Sequence, residues 1–275
     1  MSPVERWAEV NGRRCRIWEA GQGEPLFYLP GLGGFPKWPP ILDRLAVSRR
    51  VIVPSLPGFP GGEGHDQLDS VFDWVLAAED VLRQAGLDDT RPGGADLAGV
   101  SVGGALAAEV AALWPSRVRR LVLIAPFGLF DESEPVADVF ALRPKTLAQW
   151  LCVDPARFEA LVQRPEDAGE MDWQVLLARA AEAAARLLWP LGNTGLARRL
   201  GRITSPALIV WGEQDRVIPV SYARRFAELI GGRVQISLIA GAGHLADLDT
   251  PTVVAEAMLE FLAQPDEPAR PMLLK

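Results

Sequence analysis

Cysteine, histidine, long apolar runs and excess positive charge are all lacking in these 275 residues, and each lack removes a class of function. Two cysteines, Cys15 and Cys152, are too few for a disulfide framework or a cysteine-built metal site, so packing is their expected role. No metal site and no cofactor is expected. With 28 Lys and Arg against 35 Asp and Glu, the formal net charge is −7, and no broad basic field exists to attract nucleic acid or an anionic membrane. The basic clusters Arg117-Arg119-Arg120 and Arg198-Arg199-Arg202 flank expected strands and read as solvated element ends. No uninterrupted apolar run reaches membrane-spanning length, and Met1-Ser2-Pro3-Val4-Glu5-Arg6-Trp7 lacks the apolar centre of a signal peptide. The expectation is a cytoplasmic protein, monomer or homodimer, with a small-molecule partner and neither nucleic acid nor membrane.

Small residues are present in one informative arrangement, Gly99-Val100-Ser101-Val102-Gly103. Ala95-Asp96-Leu97-Ala98 before it reads as strand. The alanine-rich stretch from Gly104 to Trp114 reads as helix and stops at Pro115. Gly-x-Ser-x-Gly alone also fits a flexible loop. Between a strand and a helix it fits a sharp turn whose strained backbone pushes the serine hydroxyl out over the carboxyl edge of a sheet.

Apolar periodicity predicts further strands over 14–19, 26–29, 51–53, 121–124, 207–211 and 234–239, and helices over 71–84, 222–230 and 252–262. Asp69 or Ser70 can cap the first of these helices. Continuous apolar strands separated by helices mean a parallel sheet buried on both faces, an α/β architecture. From 127 to 200 no strand pattern appears, only helical stretches broken by Pro135, Pro144, Pro155, Pro165 and Pro190. A structureless loop of that length does not suit a compact domain. The organisation expected is therefore a core over 1–126 and 201–264, a helical lid over 127–200, and a Pro-rich, charged, disordered tail over 265–275.

A serine nucleophile needs a base, and histidine is the usual one because its pKa lies near neutrality. Of the two histidines, His65 sits in a Gly-rich loop, where packing is the simpler role. His244 follows the last expected strand in Ala240-Gly241-Ala242-Gly243-His244, at a strand's carboxyl end, where α/β sheets build their sites. The imidazole in turn needs a carboxylate to fix its tautomer. Asp215, just past the strand ending at Trp211, projects from the same edge; Glu213 is not dismissed by spacing alone. Asp247 and Asp249 follow His244 too closely and read as helping to start the last helix. The chain order Ser101, Asp215, His244 is that of one of the known triad arrangements.

Five blocks now stand in order: Leu29-Pro30-Gly31-Leu32-Gly33-Gly34, Pro54-Ser55-Leu56-Pro57-Gly58-Phe59, the 99–103 turn, Trp211-Gly212-Glu213-Gln214-Asp215 with Val217-Ile218-Pro219, and Gly241-Ala242-Gly243-His244. Over almost its whole length the chain resembles the α/β-hydrolase fold family, specifically its small, lid-bearing serine hydrolases. The resemblance implies a mostly parallel central sheet flanked by helices, with the helical lid inserted after the sixth strand. It also implies an oxyanion hole formed by the backbone N–H groups of Leu32 and Val102. Departures narrow the chemistry. Pro30-Gly31 replaces a common His-Gly. Glu213 and Leu245 stand where members that cleave carbon–carbon bonds commonly carry arginine and tryptophan. Ser101 argues against the dehalogenases and epoxide hydrolases, which use aspartate, and Val102 replaces the methionine of the peroxidase-like members. The resulting expectation is a serine hydrolase acting on an ester, thioester or lactone of a small, apolar acid, with Trp150 and Trp189 of the lid touching substrate. Arg143, Lys145, Gln149, Arg157 and Asn193 are polar lid residues read as surface. Two alternatives stay open: carbon–carbon hydrolysis or a lyase reaction on the same triad, and a small-molecule receptor with a hydrolase body.

Overall fold

The structure, a computed structural model, describes residues 2–265. Eight strands form one sheet: β1 (Val4–Val10), β2 (Arg13–Ala20), β3 (Pro25–Leu29), β4 (Arg50–Pro54), β5 (Ala95–Val100), β6 (Val118–Ile124), β7 (Ala207–Gly212) and β8 (Val234–Ile239). Their order is β1-β2-β4-β3-β5-β6-β7-β8. The pairs β1/β2 and β2/β4 are antiparallel, and every pair from β4 across to β8 is parallel. Strands β3, β5 and β7 are buried at every position, which is why they read as apolar or small-residue runs rather than alternating ones, broken only by Asp96 in β5, whose carboxylate is paired with Arg49 and Arg119. This is the α/β-hydrolase fold.

The helices are α1 (Pro40–Leu45), α2 (Val71–Ala85), α3 (Ser101–Leu113), α4 (Pro144–Leu151), α5 (Pro155–Val162), α6 (Glu170–Leu188), α7 (Ala197–Leu200), α8 (Ser221–Leu229), α9 (Ala246–Asp249) and α10 (Pro251–Leu262). Of the two candidate caps of α2, Ser70 is the one used. Its side chain accepts the Asp73 N–H while the Asp73 carboxylate accepts the Ser70 N–H, a reciprocal capping box. Helix α3 is buried nearly all round, which its alanines and glycines permit, because larger side chains would hold it off the sheet. Between β6 and β7 the described chain contains helices α4 to α7 and no strand. The expected tail lies, beyond residue 265, outside the described residues.

Two readings of the sequence need correction. Strand β1 is not among the expected strands, because its apolar residues Val4, Trp7, Ala8 and Val10 break the alternation that marks a half-buried strand, and most of it is exposed. The signal for it was nonetheless present: Asn11 and Gly12, at φ 53° and 74°, form the left-handed two-residue turn that Asn-Gly favours between antiparallel strands. Of the arginines expected at solvated ends, Arg198 and Arg202 are exposed, but three others are ion-paired. Arg117 bonds Glu79 and Asp89, Arg119 bonds Asp96 and Arg199 bonds Glu109. All four carboxylates sit on segments remote in sequence, so no local pattern announces them.

Candidate active site

Because β5, β7 and β8 run parallel, their carboxyl ends lie along one edge of the sheet, and the chain segments that leave them meet there. Strand β5 ends at Val100 and α3 begins at Ser101 with no intervening loop. Ser101 absorbs the reversal at φ 53°, a left-handed backbone that a non-glycine residue adopts at a cost. The flanking glycines are a matter of space. A Cβ at Gly99 would lie 2.3 Å from the Gly103 carbonyl oxygen, and one at Gly103 would lie 2.4 Å from that of Pro30. The strand, the helix and the loop after β3 therefore pack at backbone distance around the serine.

His244 reaches Ser101 from the segment after β8. Its Nε2 is 2.8 Å from Ser101 Oγ and its Nδ1 is 3.0 Å from Asp215 Oδ2. A carboxylate can only accept, so Nδ1 carries the proton and Nε2 is left with the lone pair that accepts the serine O–H. Asp215 is held for this purpose: its other oxygen, Oδ1, accepts the N–H groups of Val217 at 2.8 Å and Ile218 at 3.0 Å. Glu213, the competing carboxylate, is exposed. The ring of Phe127 meets the imidazole edge-on with centroids 5.5 Å apart, and the Phe127 N–H donates to the Ser101 carbonyl at 3.1 Å. Phe127 is thus a packing partner of both residues that sequence reasoning did not single out. The approach of the His244 loop to the end of β7 depends on Gly212, where a Cβ would lie 2.2 Å from the Gly243 carbonyl oxygen. Ser101 and His244 have no solvent-accessible surface, and neither does the Asp215 side chain.

The two amides expected to form an oxyanion hole flank this cluster. Val102 lies in the first turn of α3, where an N–H has no carbonyl partner within the helix and the helix dipole is positive. Leu32 lies in a tight turn closed by a bond from Gly34 N–H to the Gly31 carbonyl at 3.0 Å. A Cβ on Gly31 would sit 3.4 Å from the Ser101 Cβ, so this turn runs directly against the serine. Of the two expected substrate contacts, Trp150 is half-buried in α4 against the core, and Trp189 is 59% exposed just past α6. His65 is buried beside α6, with Nε2 3.5 Å from the Glu182 carboxylate.

Asp247 and Asp249 do not cap the last helix. No side chain caps α10 at Thr250, and both carboxylates bond other segments. Asp247 is buried and accepts the Tyr28 hydroxyl at 3.0 Å; burial pushes its pKa up to about 6. Asp249 accepts the N–H groups of Gly243, Val153 and Asp154. Among the described residues no group of three His, Cys, Asp or Glu gathers to hold a metal ion, and no helix is long and apolar enough to cross a membrane.

Residues 26–257 match the alpha/beta hydrolase family. The chain is 34% identical to the dihydrolipoyllysine-residue acetyltransferase component of the acetoin cleaving system of Pseudomonas putida, over 95% of this chain and 70% of that protein. It is 28% identical to 2-hydroxymuconate semialdehyde hydrolase of Pseudomonas sp. (strain CF600), over 94% of this chain and 93% of the relative. Among solved structures, a serine hydrolase involved in carbazole degradation superposes with a TM-score of 0.72 at 26% identity, covering 95% and 99% of the two chains. The 2-hydroxy-6-oxo-6-phenylhexa-2,4-dienoate hydrolase of Rhodococcus sp. strain RHA1 shares the fold with a TM-score of 0.77 at 20% identity, covering 96% and 99%.

Proposed function

The chain belongs to the alpha/beta hydrolase family, and from that premise we propose that it is a serine hydrolase that transfers an acyl group to water through Ser101, His244 and Asp215. His244 Nε2 removes the Ser101 proton as Oγ attacks a carbonyl carbon. The amides of Leu32 and Val102 take up the charge that develops on the carbonyl oxygen. The imidazolium, steadied by Asp215, then protonates the leaving group, and a water deprotonated by the same histidine releases the acid. The observation that carries this reading is the unbroken hydrogen-bonded line from Ser101 Oγ through both imidazole nitrogens to Asp215, with every member out of water.

Substrate is an ester, thioester or lactone of a small, apolar acid. With Ser101 and His244 fully buried, substrate reaches them only when a covering segment moves, which supports reading 127–200 as a lid. Trp150 as a substrate contact is supported by its neighbour Leu151, whose carbonyl accepts the Leu245 N–H beside His244 at 2.8 Å. Trp189 lies farther along the same insertion, at its exposed rim.

A second reading, carbon–carbon hydrolysis, is favoured by the name of the 28% identical relative, a semialdehyde hydrolase. Against it stand Glu213, which is exposed, and buried Leu245, where the resemblance would place arginine and tryptophan. Purified protein assayed on chromogenic esters of graded acyl length, on thioesters and lactones, and on a vinylogous 1,5-diketone decides between the two. The expected result is kcat/KM at least about tenfold higher on a short-chain ester than on the diketone, a difference of roughly 1.4 kcal/mol in transition-state binding. The reverse preference would establish carbon–carbon cleavage instead.

A further inference from the structure

The His244 loop is joined to the helical insertion by one side chain. Asp249 Oδ2 accepts the N–H of Gly243, the residue before His244, at 2.8 Å, and the N–H of Val153 at 2.9 Å. Its Oδ1 accepts the N–H of Asp154 at 3.1 Å. Val153 and Asp154 form the junction between α4 and α5, close to a hundred positions away in sequence. A fourth bond, Leu245 N–H to the Leu151 carbonyl at 2.8 Å, runs parallel to these on the far side of His244. The junction presses closely: a Cβ on Gly243 would lie 3.2 Å from the Leu151 carbonyl oxygen and 3.3 Å from both Val153 N and Asp249 Oδ2. His244 is therefore bracketed: the residue before it, Gly243, is tied to Val153 through Asp249, and the residue after it, Leu245, bonds Leu151 directly. Asp249 in turn is anchored one helical turn on, by its own N–H to the Leu245 carbonyl at 3.1 Å.

Three N–H groups from two chain segments converge on a side chain with two acceptor oxygens, which only an ionised carboxylate of this length satisfies without a donor facing a donor. We infer that Asp249 is a positioning residue for His244, setting the reach of the imidazole toward Ser101 by locking its loop to the α4–α5 junction of the insertion. This rests on the proposed role of His244 as base. It goes beyond that role by making the α4–α5 end of the insertion a fixed wall of the site, so that opening to admit substrate must come from the rest of the insertion. In Asp249→Asn one oxygen remains and the amide NH₂ confronts at least one backbone N–H; in Asp249→Ala all three donors lose their partner.

The test reads the histidine as well as turnover. The chain has only two histidines, so a long-range ¹H–¹⁵N spectrum of the native protein resolves His244 from His65. His244 should show one tautomer, protonated at Nδ1; Asp249→Ala should convert it to an averaged mixture. In the same samples kcat on the best ester should fall on the order of 10²-fold in Asp249→Ala, the scale expected of a misplaced reacting group, with KM changed less than about threefold. Asp249→Asn should fall between the two proteins in both readouts, and it decides the matter should the alanine variant fail to fold. A native-like tautomer with kcat within about twofold of native in the folded variants would overturn the inference. If the native protein turned over no ester while the His244 spectrum still changed in the variants, the proposed function would fail and the positioning role would stand.

Discussion

Ser101→Ala is expected to lower ester turnover by on the order of 10⁴-fold or more, with the fold unchanged. Alanine removes one oxygen at a position with no accessible surface and adds no volume, so neither β5 nor α3 is disturbed. What it does leave is His244 Nε2 without its hydrogen-bond donor at a buried site, a penalty of about 1–3 kcal/mol that should appear as a modest drop in Tm. Residual activity would then come from the Leu32 and Val102 amides and from substrate binding alone. Steady-state kinetics beside a thermal melt checks both halves. A loss of less than tenfold in a folded variant would place the nucleophile elsewhere.

Asp215→Asn should cost about 10⁴-fold in kcat, although the two side chains have nearly the same shape. The reason lies in what surrounds Oδ1. The N–H groups of Val217 and Ile218 both demand an acceptor there, so the asparagine carbonyl oxygen must occupy that position and its NH₂ must face His244 Nδ1. A donor at Nδ1 forces the imidazole proton to Nε2. Nε2–H then points at Ser101 Oγ as a donor and cannot accept the serine proton, so the base is lost while the geometry survives. Glu213→Gln, on an exposed side chain two residues away, should leave kcat within about twofold. Parallel kinetics of the two variants checks the assignment, and equal, mild effects would remove Asp215 from its role.

The parts of this site that can be read from sequence are those whose physics is local. A serine between two glycines at a strand–helix boundary declares a strained turn because the crowding around Gly99 and Gly103 involves the turn itself and one neighbouring loop. His244 and Asp215 are readable as candidates because each follows a recognisable apolar strand, and parallel strands bring such ends together. Spacing could not separate Asp215 from Glu213, since the choice depends on which side chain finds the Val217 and Ile218 amides. The roles of Asp249 and Asp247 are hidden for a related reason. Their partners, Val153 and Tyr28, lie 96 and 219 positions away, and an acidic residue just before a proline-started helix looks locally like a cap. The insertion is readable as helical, but its contacts with the core depend on side-chain shape, which periodicity does not carry.

The central claim is that Ser101 becomes covalently acylated, and a fluorophosphonate that mimics the tetrahedral intermediate tests it most directly. Intact-mass and peptide mass spectrometry of the treated native protein should find one adduct per chain, on the peptide that carries Ser101. The adduct should be absent from Ser101→Ala and strongly slowed in Asp215→Asn. A folded native protein that takes up no label, or takes it up on another residue, would contradict the claim.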